Sequence, residues 1–207
     1  MATTSRRSAD RALLRDRPAR STAVKRAAVL SADEIAALIE SAGPRDAALV
    51  GLMVAGAMRV GECTLLTWED VDGCTVAIPG GITKTGAGRS LTLPAAACRL
   101  LQQWRAVCPT TRRGWVFPGR AGQPLSVRAA QVAISNLAAA VGVAGVSSHS
   151  FRRSALTAAH QSGLSLREVA EISGHQSLAA LERYLDQDAA KVRADEARGL
   201  LLAAIDN

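Results

Sequence analysis

The last third of this chain carries its densest run of reactive side chains: His149-Ser-Phe-Arg152-Arg153, then Gly174-His175, then Tyr184. His149 and Arg152 are three residues apart at a predicted helix start, so both project from one face near the positive end of the helix dipole. A phosphate is well held at such a place. Upstream, Gly56-Ala-Met-Arg59-Val-Gly-Glu62 sets an arginine and a carboxylate at i,i+3, where the carboxylate can fix the guanidinium's orientation. Lys84 falls in a predicted hairpin strand, with Thr83, Thr85 and Arg89 around it. His175 follows a helix-ending glycine, and Tyr184, the chain's single tyrosine, comes nine residues later in the next short helix.

Taken one at a time, each residue also has a plainer reading. A lone tyrosine in a helical protein is more often filler, and His149 or His175 can simply cap a helix. A pair such as Arg59–Glu62 is more often structural than functional. His160 joins no pattern and is read as a surface or core histidine.

The joint order is what the plain readings leave out. It runs Gly56-Ala-Met-Arg59-Val-Gly-Glu62, Trp68-Glu-Asp-Val-Asp72, Thr83-Lys84-Thr85 to Arg89 with Leu93-Pro94, His149 to Arg153, Gly174-His175 and Tyr184. In this order the chain resembles the catalytic domain of the tyrosine recombinases, or phage-integrase family, over about residues 30–190. The resemblance fills six catalytic positions: Arg59, Lys84, His149, Arg152, His175 and Tyr184, with Glu62 in support.

Each role that the resemblance implies has a chemical reason. Breaking a DNA phosphodiester without water needs a nucleophile, a charge clamp and a proton donor for the leaving group. Tyr184 would attack phosphorus, but a free phenol has a pKa of about 10 and needs help to deprotonate. His149 suits general-base work near neutral pH. Arg59 and Arg152 would each donate two N–H bonds to the non-bridging oxygens, with His175 as a further donor. Lys84 would protonate the departing 5′-oxygen. The implied product is a covalent 3′-phosphotyrosine that stores the bond energy, so neither metal, ATP nor any other cofactor is expected. The resulting expectation is a site-specific recombinase of the integrase, resolvase or invertase type. A type IB topoisomerase shares this constellation, and a non-catalytic DNA-binding regulator could keep the fold.

These residues must be positioned by a helix-rich scaffold. Of 207 residues, 48% are hydrophobic and only 3% aromatic, and Ala, Leu and Val dominate the apolar set. Ser31-Ala-Asp-Glu34 reads as a capping box before a helix with Ile35, Leu38 and Ile39 on one face. Gly43-Pro44 ends it, and further helices are predicted over 45–57, 60–66, 94–107, 126–141, 148–161, 165–172, 177–185 and 188–205. Between them, 75–78, 81–85 and 89–93 read as three short antiparallel strands punctuated by glycines. The predicted class is mainly α with a small antiparallel sheet, an α+β fold.

Charge is concentrated at one end. Residues 1–29 hold Arg6, Arg7, Arg11, Arg15, Arg17, Arg20, Lys25 and Arg26 against Asp10 and Asp16, a net of +6 out of +7. A basic arm of this kind suggests weak contact with DNA phosphates, with Arg89 and Arg153 as further weak candidates, and a solvated leader that does nothing is the plainer alternative. The domain reading is a flexible arm over 1–29 and a catalytic domain over 30–207, with the family's usual N-terminal core-binding domain expected to be absent. Double-stranded DNA is the expected partner. Val192, Leu200, Leu201, Leu202 and Ile205 give the last helix an apolar patch, which the resemblance assigns to docking on a neighbouring protomer in a DNA-bound homo-tetramer, with a monomer possible when free; packing back on its own domain is an equal alternative.

The apolar run 47–58 is too short to span a bilayer, and the N-terminus has no apolar signal core, so a cytoplasmic protein is expected. Cys63, Cys74, Cys98 and Cys108 form no C-x-x-C pair and have no histidine at ligand spacing. Reduced, partly buried thiols are expected, not a zinc site or disulfides.

Overall fold

The predicted capping box forms: Ser31 Oγ accepts from the Glu34 N–H, and the Glu34 carboxylate accepts from the Ser31 N–H, starting α1 (Ala32–Glu40). The computed structural model describes residues 27–111, 113–182 and 185. Pro44 opens α2 (Pro44–Ala55) in the first turn, where its missing N–H costs no helical hydrogen bond. Every residue from Ala47 to Met53 is buried, as a nearly all-apolar helix at the centre of a core must be. Helix α2 packs against α1 and, further along the chain, α4 (Ala95–Val107) and α6 (Ser148–Gln161). At Gly51 an added Cβ would stand 3.0 Å from Leu100 Cδ1, so this glycine lets α2 and α4 approach closely.

The other α-helices and strands are α3 (Val60–Thr64), β1 (Val71–Asp72), β2 (Thr75–Ile78), β3 (Arg89–Thr92), α5 (Val127–Ala140), α7 (Leu166–Ser173) and α8 (Leu178–Glu182), with single 3-10 turns at Trp68–Asp70, Gly80–Ile82 and Arg120–Gly122. The strands form one antiparallel sheet in the order β1-β2-β3, with Ile78 opposite Arg89 and Thr75 opposite Thr92. The architecture is mainly helical with a small antiparallel sheet, as expected. A large core gathers around α2. A second, smaller cluster joins Ala57 to Leu156, Val169, Ala170, Leu181 and Leu185, tying α6, α7 and α8 to the turn after α2. Among the described residues no helix is long and apolar enough to cross a membrane. The predicted helix over 188–205 lies outside the described residues.

Two expectations are corrected. The segment 81–85 is not a strand: 79–88 is a loop that bonds to itself, with Thr83 Oγ1 3.0 Å from the carbonyls of both Gly80 and Ala87. An added Cβ at Gly80 would stand 2.3 Å from the Gly86 oxygen, so the glycines serve close backbone approach instead of a ladder. The third strand is instead Val71–Asp72.

The cysteines also differ from expectation. Cys74 and Cys98 form a disulfide, while Cys63 and Cys108 are free thiols. Cys74 sits in the turn between β1 and β2, and its carbonyl accepts from the Leu93 N–H at 2.7 Å. That hydrogen bond lays the sheet against the start of α4 and brings the two Cα atoms to 5.2 Å. Neither spacing nor composition encodes such a meeting.

Candidate active site

Helix α3 begins on Arg59, and Glu62 turns back to serve it. The Glu62 carboxylate accepts from the Arg59 N–H at 3.1 Å and from Arg59 Nη1 at 2.8 Å. A third bond comes from the sheet, where Arg89 Nη2 on β3 donates to Glu62 Oε2 at 2.7 Å. Glu62 is only 2% exposed. Burial alone would raise its pKa, but the hydrogen bonds and charges of Arg89 and Arg59 overcome this and hold the carboxyl below its ordinary value. A buried carboxylate survives only with partners of this kind. Its neighbour Cys63 shows the opposite case: burial, then the Glu62 charge, push the thiol well up, which leaves it inert.

Helix α6 supplies Arg152, which is 1% exposed. Its Nη1 donates to the Ala57 carbonyl, and its Nη2 donates to the Ser173 carbonyl at 2.8 Å. The same Nη2 stands 3.3 and 3.4 Å from the two ring nitrogens of His175. One guanidinium thus joins the turn before Arg59, the helix α6 and the C-terminal end of α7. Gly174 ends α7 at φ +66, a left-handed cap natural to glycine, and so delivers His175 beside Arg152.

Ser173 Oγ lies 2.6 Å from His175 Nδ1 and fixes the ring further. Burial first, and then the positive charges of Arg152, Arg59 and Arg89, push the His175 pKa down to about 4, with Glu62 opposing. At neutral pH the imidazole is uncharged and carries a single N–H. Three guanidinium groups therefore converge around one carboxylate and one neutral histidine. Such a cluster is built to receive an anion with more than one oxygen.

The structure brings together Arg59, Glu62, Arg89, Arg152 and His175. Lys84 stands exposed on the 79–88 loop, and His149 is exposed in the first turn of α6, neither with a hydrogen bond or ion pair to that cluster. Arg153 donates to the Ala27 carbonyl at 2.6 Å, and the Leu30 N–H donates to Ser154 Oγ at 2.7 Å, so the incoming chain is fastened along α6. Tyr184 lies outside the described residues, as do Arg6, Arg7, Arg11, Arg15, Arg17, Arg20, Lys25 and Arg26. Among the described residues no cluster of His, Cys, Asp or Glu is placed to hold a metal ion.

Sequence reasoning missed two contributors. Ser173 had a weak signal, a small polar residue just before a helix-ending glycine. The Ala57 carbonyl had none, because backbone groups carry no sequence signature.

The sequence pattern of the phage integrase family matches residues 28–191. Tyrosine recombinase XerC of Xanthomonas axonopodis pv. citri (strain 306) is 32% identical over 170 residues, which cover 77% of this chain and 54% of the relative. XerC of Xylella fastidiosa (strain M23) is 32% identical over 168 residues, 77% of this chain and 56% of the relative. The chain spans about half the length of the curated relatives it matches. Among solved structures, XerA recombinase superposes with a TM-score of 0.73 at 24% identity, over 83% of this chain and 65% of that one. The Tn1549 transposon integrase in complex with circular intermediate DNA gives 0.67 at 13% identity, over 92% and 76%. XerH recombinase bound to its difH substrate gives 0.62 at 22% identity, over 75% and 49%. These likenesses show the shared fold.

Proposed function

Because this chain belongs to the phage integrase family, we propose that residues 30–207 form the catalytic domain of a site-specific DNA recombinase, preceded by a DNA-contacting basic arm over 1–29. The observation that carries this reading is the cluster in which Arg59, Arg89 and Arg152 meet around a buried Glu62 and a half-buried His175. Three cations against one anion leave a surplus of positive charge where a scissile phosphate would sit. That surplus grows in worth as the phosphate gains charge in its five-coordinate transition state.

In this mechanism the Tyr184 oxygen bonds to phosphorus as the bond from phosphorus to the 5′-oxygen breaks. The phenolic proton passes to His149, and Lys84 protonates the departing 5′-oxygen. Arg59 and Arg152 hold the non-bridging oxygens, and neutral His175 donates its N–H. One phosphoester replaces another, so the free 5′-hydroxyl of a second strand can reverse the step without ATP or metal. Lys84 and His149 sit on an exposed loop and an exposed helix start, positions that DNA can reach.

The partner in this reading is double-stranded DNA in the cytoplasm. The XerH and Tn1549 structures hold DNA. Four copies would assemble on it through the 188–205 segment and separate when DNA is absent.

A nicked suicide DNA tests the reading. A covalent protein–DNA band on a denaturing gel is expected, formed equally in EDTA and abolished by Tyr184→Phe. No band with any recognition DNA points to a regulator, and relaxation of plasmids lacking paired sites points to a topoisomerase.

A further inference from the structure

We propose that Arg89 is a positioning residue for strand cleavage, acting through Glu62 on Arg59. The inference rests on the recombinase reading above and assigns to Arg89 a role other than the expected weak DNA contact.

Four observations place it. Arg89 Nη2 lies 2.7 Å from Glu62 Oε2, while Arg59 Nη1 lies 2.8 Å from Oε1, so the two guanidinium groups divide one carboxylate between them. Arg89 is more enclosed than Arg59, with side chains 15% and 24% exposed. Its Nε is buried without a hydrogen-bond partner among the described residues, so its hold on the site runs from Nη2 to Glu62. On its other side, a Cβ added at Gly174 would stand 3.6 Å from Arg89 Nη1, ordinary van der Waals distance. Arg89 therefore fills the space between the start of α3 and the end of α7, the two places that deliver Arg59 and His175.

The charge arithmetic explains why a second arginine is needed. Glu62 orients Arg59, but an isolated Arg59–Glu62 pair has no net charge to offer a phosphate. With Arg89 added, the triad carries a net +1, and Arg59 can be both oriented by a carboxylate and attractive to an anion. Glu62 supplies direction and Arg89 cancels its electrostatic cost. The strand β3 that carries Arg89 also follows the loop that carries Lys84, so one hairpin serves both the leaving-group side and the clamp.

The test uses the full chain and a nicked suicide DNA. Arg89→Gln is expected to slow covalent adduct formation by about tenfold or more while DNA affinity changes little, because the missing charge matters most in the transition state. Arg89→Lys, which keeps the charge but not the fork, should recover part of the rate. The decisive variant is Glu62→Gln with Arg89→Gln, which restores the net +1 by removing one charge of each sign. Its rate should exceed the product of the two single losses.

An independent readout is the titration of His175 by NMR. His175 faces Arg152 from α6, Arg59 and Glu62 from α3, and Arg89 from β3. Its pKa should rise in Arg89→Gln and stay low in Arg89→Lys. A merely structural arginine predicts a lower melting temperature and strictly multiplicative losses, and that result overturns the inference, as does a His175 titration unmoved in Arg89→Gln. So does an Arg89→Gln protein that forms adduct at the wild-type rate. Wild-type protein that forms no adduct overturns the recombinase reading itself. If Arg89→Gln fails to fold, Arg89→Lys decides: slowed adduct formation with little change in DNA affinity supports the inference, and adduct formation at the wild-type rate overturns it.

Discussion

Arg152 on α6 donates Nη1 to the carbonyl of Ala57, an alanine held at φ +44 in the turn between α2 and α3. A non-glycine residue in that left-handed region costs about 1–2 kcal/mol and persists only where its surroundings enforce it. Here the enforcement comes from the arginine on one side and from the second core cluster, in which Ala57 is buried, on the other. Two residues later the chain reaches Arg59. The strained turn thus couples the two family arginines: α6 sets where α3 begins.

Arg152 is therefore structural as well as electrostatic. Arg152→Lys keeps the charge but cannot serve the carbonyls of Ala57 and Ser173 with one rigid fork. Leaving a buried acceptor unpaired costs about 1–3 kcal/mol, so a loss of about 2 kcal/mol in urea unfolding is expected alongside slower cleavage. Arg152→Lys with wild-type stability would remove the carbonyl bonds from any account of the fold.

The legibility of these features followed their physical range. Ser31, Ser126 and Gly174 mark helix ends through local bonds and backbone preferences, and the structure puts α1, α5 and α7 where those signals stand. The Arg59–Glu62 pairing was readable too, since both partners lie on one turn of helix. Arg89 to Glu62 is separated by 27 residues, and Arg152 to Ala57 by 95. Such pairings depend on how a sheet packs on a helix, which no local pattern encodes. The 81–85 segment misled because β-branched residues favour strands, whereas flanking glycines permitted a self-bonded loop. The Cys74–Cys98 bond was hidden for the same reason as Arg89.

That disulfide gives a prediction of its own. It closes a loop of 24 residues between the sheet turn and α4. Loop-closure entropy makes such a crosslink worth about 3 kcal/mol. Oxidised protein should melt several degrees higher than protein in excess dithiothreitol, and Cys74→Ser with Cys98→Ser should melt at the reduced temperature in both conditions. A melting point indifferent to reductant in the wild type would contradict the bond's contribution.

The depressed His175 pKa ties stability to pH with a definite sign. The folded side chain titrates at about 4, whereas in the unfolded chain it titrates at about 6.5. Between those values the unfolded chain binds more protons, so stability rises with pH across that window. The contribution is fully present above about 6.5 and is lost as pH falls toward 4. Glu62, whose carboxyl is held below its ordinary range, acts only at the acid end of this window. Urea midpoints between pH 7 and 5 should fall in the wild type and fall less in His175→Asn. Parallel curves for the two proteins would show that His175 is not held neutral.

The proposed basic arm separates from the proposed chemistry in the same quantitative way. Residues 1–29 carry a net +6, and the other 178 residues carry +1. Neutralising phosphates releases counterions, so log affinity falls against log salt with a slope of about −0.9 for each phosphate neutralised on duplex DNA. Deleting residues 1–26 should weaken binding at low salt and flatten that slope by about 0.9 for every phosphate the arm had neutralised, with the two affinities converging at high salt. Single-turnover cleavage of DNA already bound should stay unchanged, because the Arg59, Glu62, Arg89, Arg152 and His175 cluster lies wholly outside residues 1–29. A truncated protein with the full-length slope would show that the arm does not touch DNA. A truncated protein with normal binding but slowed cleavage would show instead that residues 1–26 act through α6, where Arg153 and Ser154 hold the incoming chain.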